Sequence, residues 1–245
     1  MLKSFRADLH IHTCLSPCGD LDMSPKRIIR EAIKKNLDII AICDHNSAEN
    51  VKYVKRAAKN FGITVLPGME ITSREEVHIL GIFGTLKDVL NVQKVVYQYL
   101  TPGKNNPEYF GDQVVVNEFD EVEGFNERLL VGATDLTVKK ITEIIHKYSG
   151  LSIASHIDRE SFSIIGQLGF IPDNVGLDAV EITSRENIEK LKGFFPKEKN
   201  FPVVTSSDAH YINDIGKKYI DFLIEKPSIT EIGYAFKNIE GRRIL

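Results

Sequence analysis

The run "LDIIAICDHNSAEN", Leu37–Asn50, sets an apolar stretch directly against three polar residues and then a helix opening. Ile39 to Cys43 are apolar at every position, so on a strand both faces need cover, as in a parallel sheet flanked by helices. Asp44, His45 and Asn46 fall where that strand ends. Ser47 stands at a helix N-cap, Asn50 where an acid would complete a capping box, and Gly62 as the stop. The unit is therefore strand, polar cluster, helix.

Working outward, the same unit recurs. "ITVLP" (Ile63–Pro67), "LSIAS" (Leu151–Ser155), "LDAVEI" (Leu177–Ile182) and "FPVVTS" (Phe201–Ser206) read as further buried parallel strands. "SPKRIIREAIKKN" (Ser24–Asn36), with Pro after its Ser, and "DLTVKKITEIIHKYSG" (Asp135–Gly150) read as amphipathic helices. Repeated β-then-α units predict an α/β fold with a right-handed parallel sheet, open or closed into a barrel. The stretch from about Thr101 to Thr134 breaks the rhythm. It is loop-rich and then reads as a β-hairpin around Asn117–Asp120, an insertion over one end of a single domain spanning residues 1–245. Phe110 to Phe125 is expected to form a lid or partner-binding flap.

Composition narrows the function. The 245 residues carry a net charge of −3, which disfavours long duplex nucleic acid and anionic membrane as partners. No apolar run reaches the length of a membrane span. The opening "MLKSFRADLHIH" lacks the apolar core and cleavage site of a signal peptide, and Cys14, Cys18 and Cys43 are an odd set. These features give the expectation of a reducing, cytoplasmic location.

The polar residues gather at strand ends. Near the start, "ADLHIHTCLSPCGD" (Ala7–Asp20) places Asp8, His10 and His12 on one face by alternation. Elsewhere Asp44-His45, Glu70, His156 with Asp158-Arg159, and Asp208 with His210 each follow an apolar run, while His78 opens one. Of seven histidines only His146 lies within a helix pattern. Each residue alone has an ordinary reading as a cap, a core histidine or a surface pair. Together, at the carboxyl ends of strands where α/β folds build their sites, they read as a metal cluster. His, Asp and Glu suit Zn²⁺, Mn²⁺ and Fe²⁺, and this many donors exceeds one tetrahedral ion, so two or three divalent ions are expected. With no nucleophilic serine pattern and no P-loop, a metal-bound hydroxide is the expected nucleophile.

In order along the chain, "HIH" with a downstream acid, "DHN", "SHIDR" and "SDAH", with "GMEIT" and "VHILGIF" between, resemble the motifs of the PHP (polymerase and histidinol phosphatase) superfamily. The resemblance covers nearly the whole chain outside the insertion. It implies a distorted seven-stranded (β/α) barrel with a trinuclear site. By position, His10 and His12 would bind a first ion with Asp208 and Glu70, and Glu70 would bridge to a second held by His78 and His156. His45 and His210 would bind a third, with an acid of the first loop. Arg159 stands where related phosphoesterases have an arginine facing phosphate, which its fork of donors suits.

Two departures matter. Cys43 replaces the threonine of the family's T-D-H, and Pro17–Gly19 interrupt the usual succession after Ser16. Asp20, five residues before Pro25, is the acid expected to complete the third site, with Cys18 and Asp22 as the alternatives. Asp44 is expected to orient the site or, like Asp208, to take a proton from the attacking water. The function implied is a metal-dependent phosphoesterase acting on a small phosphorylated substrate or a short oligonucleotide. The alternatives are an amidohydrolase-type enzyme and a non-catalytic metal-binding module.

Overall fold

The structure, a computed structural model, describes residues 1–184, 188–197 and 199–245. Its centre is a curled mixed sheet, not a purely parallel one. Nine strands pair in the order β11-β10-β1-β2-β3-β4-β7-β8-β9 among the described residues. They are β1 (Lys3–Ile11), β2 (Ile39–Ile42), β3 (Thr64–Thr72), β4 (His78–Ile82), β7 (Leu151–Ala154), β8 (Ala179–Glu181), β9 (Val203–Val204), β10 (Ile220–Ile224) and β11 (Arg243–Ile244). A parallel bridge between Ile11 and Ala209 brings the chain after β9 back beside β1, so the curl nearly meets itself at one end.

The difference from seven parallel strands has two sources. β10 and β11 are short C-terminal strands, antiparallel in their pairing with β1 and with each other, that carry no polar cluster to mark them. β4 runs antiparallel to both β3 and β7. That reversal places the beginning of β4 at the same edge as the ends of its neighbours. This is why His78 opens its strand while the other site residues lie toward or beyond the ends of theirs.

Two layers of apolar side chains alternate across the sheet. Ile40, Ile42, Ile71 and Ile79 pack toward helices α1 (Pro25–Lys34), α2 (Val51–Ala57), α3 (Leu86–Tyr99) and α5 (Val138–Lys147). Leu9, Ile39, Ala41, Leu80, Ile153 and Phe222 face the other way and are closed by Ile232, Ala235 and Phe236 of α8 (Ile229–Phe236). Helix starts follow the sequence at Ser24, the N-cap of α1, with Pro25 opening the helix. They depart from it at Ser47. Helix α2 begins only at Val51, because Ser47 instead bonds Tyr97 and Gln93, and the Asn50 side chain is drawn across to Thr13 and Val114.

Within residues 101–134, β5 (Val114–Val116) and β6 (Val122–Phe125) form a separate two-stranded antiparallel sheet, preceded by the short α4 (Pro107–Phe110). This sheet is anchored. The Val114 N–H donates to Cys14 O, the Val116 N–H donates to Asn50 Oδ1, and Val114 and Val116 pack on Cys14. A side chain at Gly111, whose φ is +93°, would collide with the Pro17 carbonyl. The 101–134 segment therefore leans on the loop after β1. No helix among the described residues is long and apolar enough to cross a membrane.

Candidate metal centre

Glu70 lies in the second half of β3, where burial leaves it 1% exposed. Five imidazoles surround its carboxylate. His78 Nδ1 lies 3.1 Å from Oε1, His10 Nε2 and His156 Nε2 each 3.4 Å from Oε1, His45 Nδ1 3.1 Å from Oε2, and His12 Nε2 3.4 Å from Oε2. Asp208 stands opposite, its Oδ1 3.3 Å from His10 Nε2, 3.2 Å from His12 Nε2 and 3.6 Å from His210 Nδ1. Thus His10, His12, His45, Glu70, His78, His156, Asp208 and His210 converge at one edge of the sheet from six segments of chain.

Local backbone strain accompanies the convergence. Asn46, His156 and Asp208 all have left-handed φ values, of 51°, 31° and 50°, although none is glycine. Each sits after a strand, where the chain turns sharply. His156 and Asp208 aim their side chains into the cluster, while the Asn46 side chain bonds backbone groups of Thr72, Leu130 and Gly132. Such conformations persist only where surrounding contacts enforce them.

The electrostatics show what the cluster lacks. Burial opposes charge on Glu70, yet His78 and His10 hold its carboxyl well below the usual range. Asp208 is likewise held low against its burial, by His10 and then His12. The imidazoles divide: burial opposes charge on His10, yet Asp208, Glu181 and Glu70 raise it well above its ordinary value. Burial, then His210 and His45, push His12 well below its ordinary value, and His78 is also lowered. Five buried atoms of the cluster have no hydrogen-bond partner: His45 Nδ1, Glu70 Oε1, His78 Nδ1, His156 Nδ1 and Asp208 Oδ1. Buried polar atoms are seldom left unpaired. Ligand atoms fall within 4.8 Å of one another in three groups, His10-His12-Asp208, His12-His45-His210 and His45-Glu70-His78. Ionised carboxylates, imidazoles and orphaned lone pairs are the donor set a divalent cation takes, and the residues fit such an ion.

Not every expected residue joins. Asp8 does not share the face of His10 and His12, because β1 shifts register between Asp8 and Ile11 and ends before His12. Its carboxylate accepts the Ser207 and Gly216 N–H groups, and burial pushes its pKa up to about 6. Asp44 is buried but its oxygens are spent on Thr13 N–H, Thr13 Oγ1 and Ser16 Oγ, at 2.7 to 2.8 Å. Ser16 Oγ in turn lies 2.9 Å from His12 Nδ1, so Asp44 orients His12 through Ser16 and has no oxygen turned to a substrate. The Asp20 carboxylate is exposed and accepts the Asp22 N–H at 2.8 Å, the local turn its type favours. Cys18 lies on the same loop, with its side chain exposed. Its surroundings raise the thiol, but His210 and His45 bring it down to about 6.

One residue was not singled out from sequence. Glu181, closing β8, is 2% exposed and lies 3.0 Å from His10 Nδ1 while accepting the His156 N–H at 3.1 Å. Its place as the only acid in the apolar run "LDAVEI" after Asp178 was the available signal. Arg159, three residues past His156, puts Nη1 2.6 Å from Asp208 Oδ2 and lines a cavity of about 480 Å³ with Phe162, His45, His78 and His210. The loop is held by Asp158, which accepts from Thr183 N–H and Oγ1, and by Ser163 Oγ donating to the Arg159 carbonyl.

Comparison with known proteins agrees with this geometry. Uncharacterized protein MJ1587 of Methanocaldococcus jannaschii is 31% identical over 140 residues, 49% of this chain and 81% of that protein. The 5'-3' exoribonuclease of Haemophilus influenzae is 32% identical over 78 residues, 31% of this chain and 27% of the enzyme. The lesion-specific endonuclease Q of Pyrococcus furiosus shares the fold, with a TM-score of 0.73 at 20% identity over 99% of this chain. This chain spans 58% of the length of that endonuclease. Residues 193–238 match the PHP-associated family model. Residues 8–201, which hold every cluster residue from His10 to His156, match the PHP domain model, and the chain belongs to the PHP domain family.

Proposed function

We propose that this chain is a metal-dependent phosphoesterase of the PHP family. The observation that carries the reading is Glu70, an ionised carboxylate buried among five imidazoles, with Arg159 poised at the mouth of the same cavity. His10, His12, Glu70, His78, His156 and Asp208 would hold two divalent ions, and His45 with His210 would hold part of a third. Such ions supply Lewis acidity and activate water for attack on phosphorus.

The protein's own groups do the rest. Arg159 presents a planar fork of donors to the cavity, suited to two oxygens of one phosphate. It pairs with Asp208 Oδ2, which holds the guanidinium at the site edge. Asp208 would be the carboxylate that takes a proton beside the phosphate, whereas the Asp44 oxygens are bonded to Thr13 and Ser16. Phe162 stacks on His78, centroids 4.7 Å apart, and forms an apolar wall on which the leaving group can rest. The names of two relatives, an exoribonuclease and an endonuclease, favour a phosphodiester in a short nucleic-acid strand over a small monoester.

The test is a panel of phosphomonoesters, phosphodiesters and amides assayed with Mn²⁺ and with Zn²⁺. Glu70→Ala should abolish hydrolysis and lower bound metal together. Arg159→Ala should keep the metal and lower kcat/KM by about 10- to 100-fold, the scale of one lost phosphate contact. Amide turnover without phosphoester turnover would transfer the site to the amidohydrolase class.

A further inference from the structure

The charge of this chain is unevenly placed. Residues 25–35 and 51–60, which span helices α1 and α2, carry nine lysines and arginines against one acid, in a chain whose net charge is −3. That acid, Glu31, is buried and paired with Lys34 and Lys35. Ile28, Ile29, Val51 and Val54 turn into the core, so the basic residues of both helices fall on the outer face. A face of one sign on an otherwise acidic chain marks a polyanionic partner.

Between the two helices lies a groove of about 540 Å³, bounded on one side by the β5–β6 turn. Lys26, Arg30, Arg56 and Lys59 line it, and Glu118 is the one acid there. Glu118 pairs with Arg56 at 3.4 Å. Arg30 and Lys59 are exposed and form no ion pair among the described residues. Two rings stand beside these cations, Phe61 50% exposed and Phe119 61% exposed. Lys26 Nζ lies 5.4 Å from the Phe119 ring centroid, and the Lys26 N–H donates to Asp120 Oδ1 at 2.9 Å, which fixes the turn that carries the ring. One exposed phenylalanine is ordinary, but two beside four cations supply what a single nucleic-acid strand needs: charge for its phosphates and ring faces for its bases.

We propose that this groove binds a single-stranded polynucleotide, with Lys26, Arg30 and Lys59 on backbone phosphates and bases stacked on Phe119 and Phe61. This rests on the phosphodiester reading above and names the form of that substrate, one strand with its bases exposed. A duplex keeps its bases stacked on each other and leaves no face for the two rings. A bilayer surface would engage the charge but leave the recess between the helices unfilled. The groove is joined to the metal centre through one loop, because Lys26 opens α1 just after residues 12–24, where the Asp20 N–H donates to the His210 carbonyl.

The experiment titrates the full chain, in excess chelator, into a labelled oligothymidylate of roughly ten nucleotides and reads fluorescence anisotropy across a salt series. Wild type should bind, with affinity falling as salt rises. Arg30→Gln combined with Lys59→Gln should lower the salt slope by about 1.4, at roughly 0.7 per phosphate contact. Phe119→Ala should weaken binding by about 5- to 100-fold with the slope unchanged. Lys139→Gln, on α5, should change neither. With Mn²⁺ supplied, the Arg30 and Lys59 variant should raise KM for the oligonucleotide and leave turnover of a small phosphodiester at the wild-type rate. No binding at low salt, an unchanged slope in that variant, equal affinity for a duplex of the same length, or capture of phosphatidylserine vesicles but not the oligonucleotide overturns the groove. The titration holds no metal, so each of those results leaves the phosphoesterase reading standing. Failure of that reading shows separately, as no hydrolysis of the small phosphodiester.

Discussion

Replacing Glu181 with glutamine removes one charge behind the metal centre while keeping the volume of a side chain that is 2% exposed. One oxygen of Glu181 lies 3.0 Å from His10 Nδ1 and accepts the His156 N–H at 3.1 Å, so it fixes two of the imidazoles facing Glu70. A carboxylate behind a ligating imidazole raises its basicity and sets its tautomer, and loss of such a partner costs roughly 10- to 100-fold in metal affinity. That is about 1.4 to 2.7 kcal/mol per coupled ion. Metal-free stability should move far less, because an uncharged amide relieves the burial of a carboxylate while still accepting the His156 N–H. Zinc affinity by chelator competition, paired with thermal melts in excess chelator, separates the two effects. Zinc affinity within about twofold of wild type would refute the coupling through His10, since a tenfold change is the least that coupling implies. A metal-free melt that falls as far as the metal-bound one would show that Glu181 serves only to hold the fold.

Two further outcomes follow from contacts away from the ligands. Asn50 donates to Thr13 Oγ1 and the Val114 carbonyl and accepts the Val116 N–H, all buried. Asn50→Ala should cost about 1–3 kcal/mol by denaturant titration, with amide exchange in Val114–Val116 rising first; unchanged exchange there would show that the 101–134 segment is held by other contacts. His146 Nε2 lies 2.8 Å from Asp178 Oδ2, and that hydrogen bond, against partial burial, raises the imidazole above its ordinary 6.5. Its stabilisation is complete below the unfolded value and lost as pH rises through the folded one. His146→Ala should therefore destabilise by less than about 1 kcal/mol near about pH 5.5, since the pair is partly exposed and screened, and the gap should shrink by about pH 8.5. A gap that widens with pH would contradict the sign.

The sequence carried the metal centre further than the sheet that holds it. Apolar runs marked β2, β3, β7, β8 and β9, alternation marked β1, and the histidines near strand ends marked the active edge, because burying both faces of a strand leaves polar residues only where the chain emerges. It could not give strand direction. His78 lies at the start of its run, and only the antiparallel pairing of β4 explains how it meets residues from the other ends of their strands. Nor could spacing decide which acid of the first loop turns inward. Asp20 matches the expected position, but its exposed carboxylate accepts the Asp22 N–H. Glu181 and Asp44 make the same point from opposite sides. Both are acids at strand ends, yet one backs His10 and the other is consumed by Thr13 and Ser16. Residue type sets what a side chain can bind. Which partner reaches it first is settled by hydrogen bonds between segments far apart in the chain, and those exist only in the folded protein.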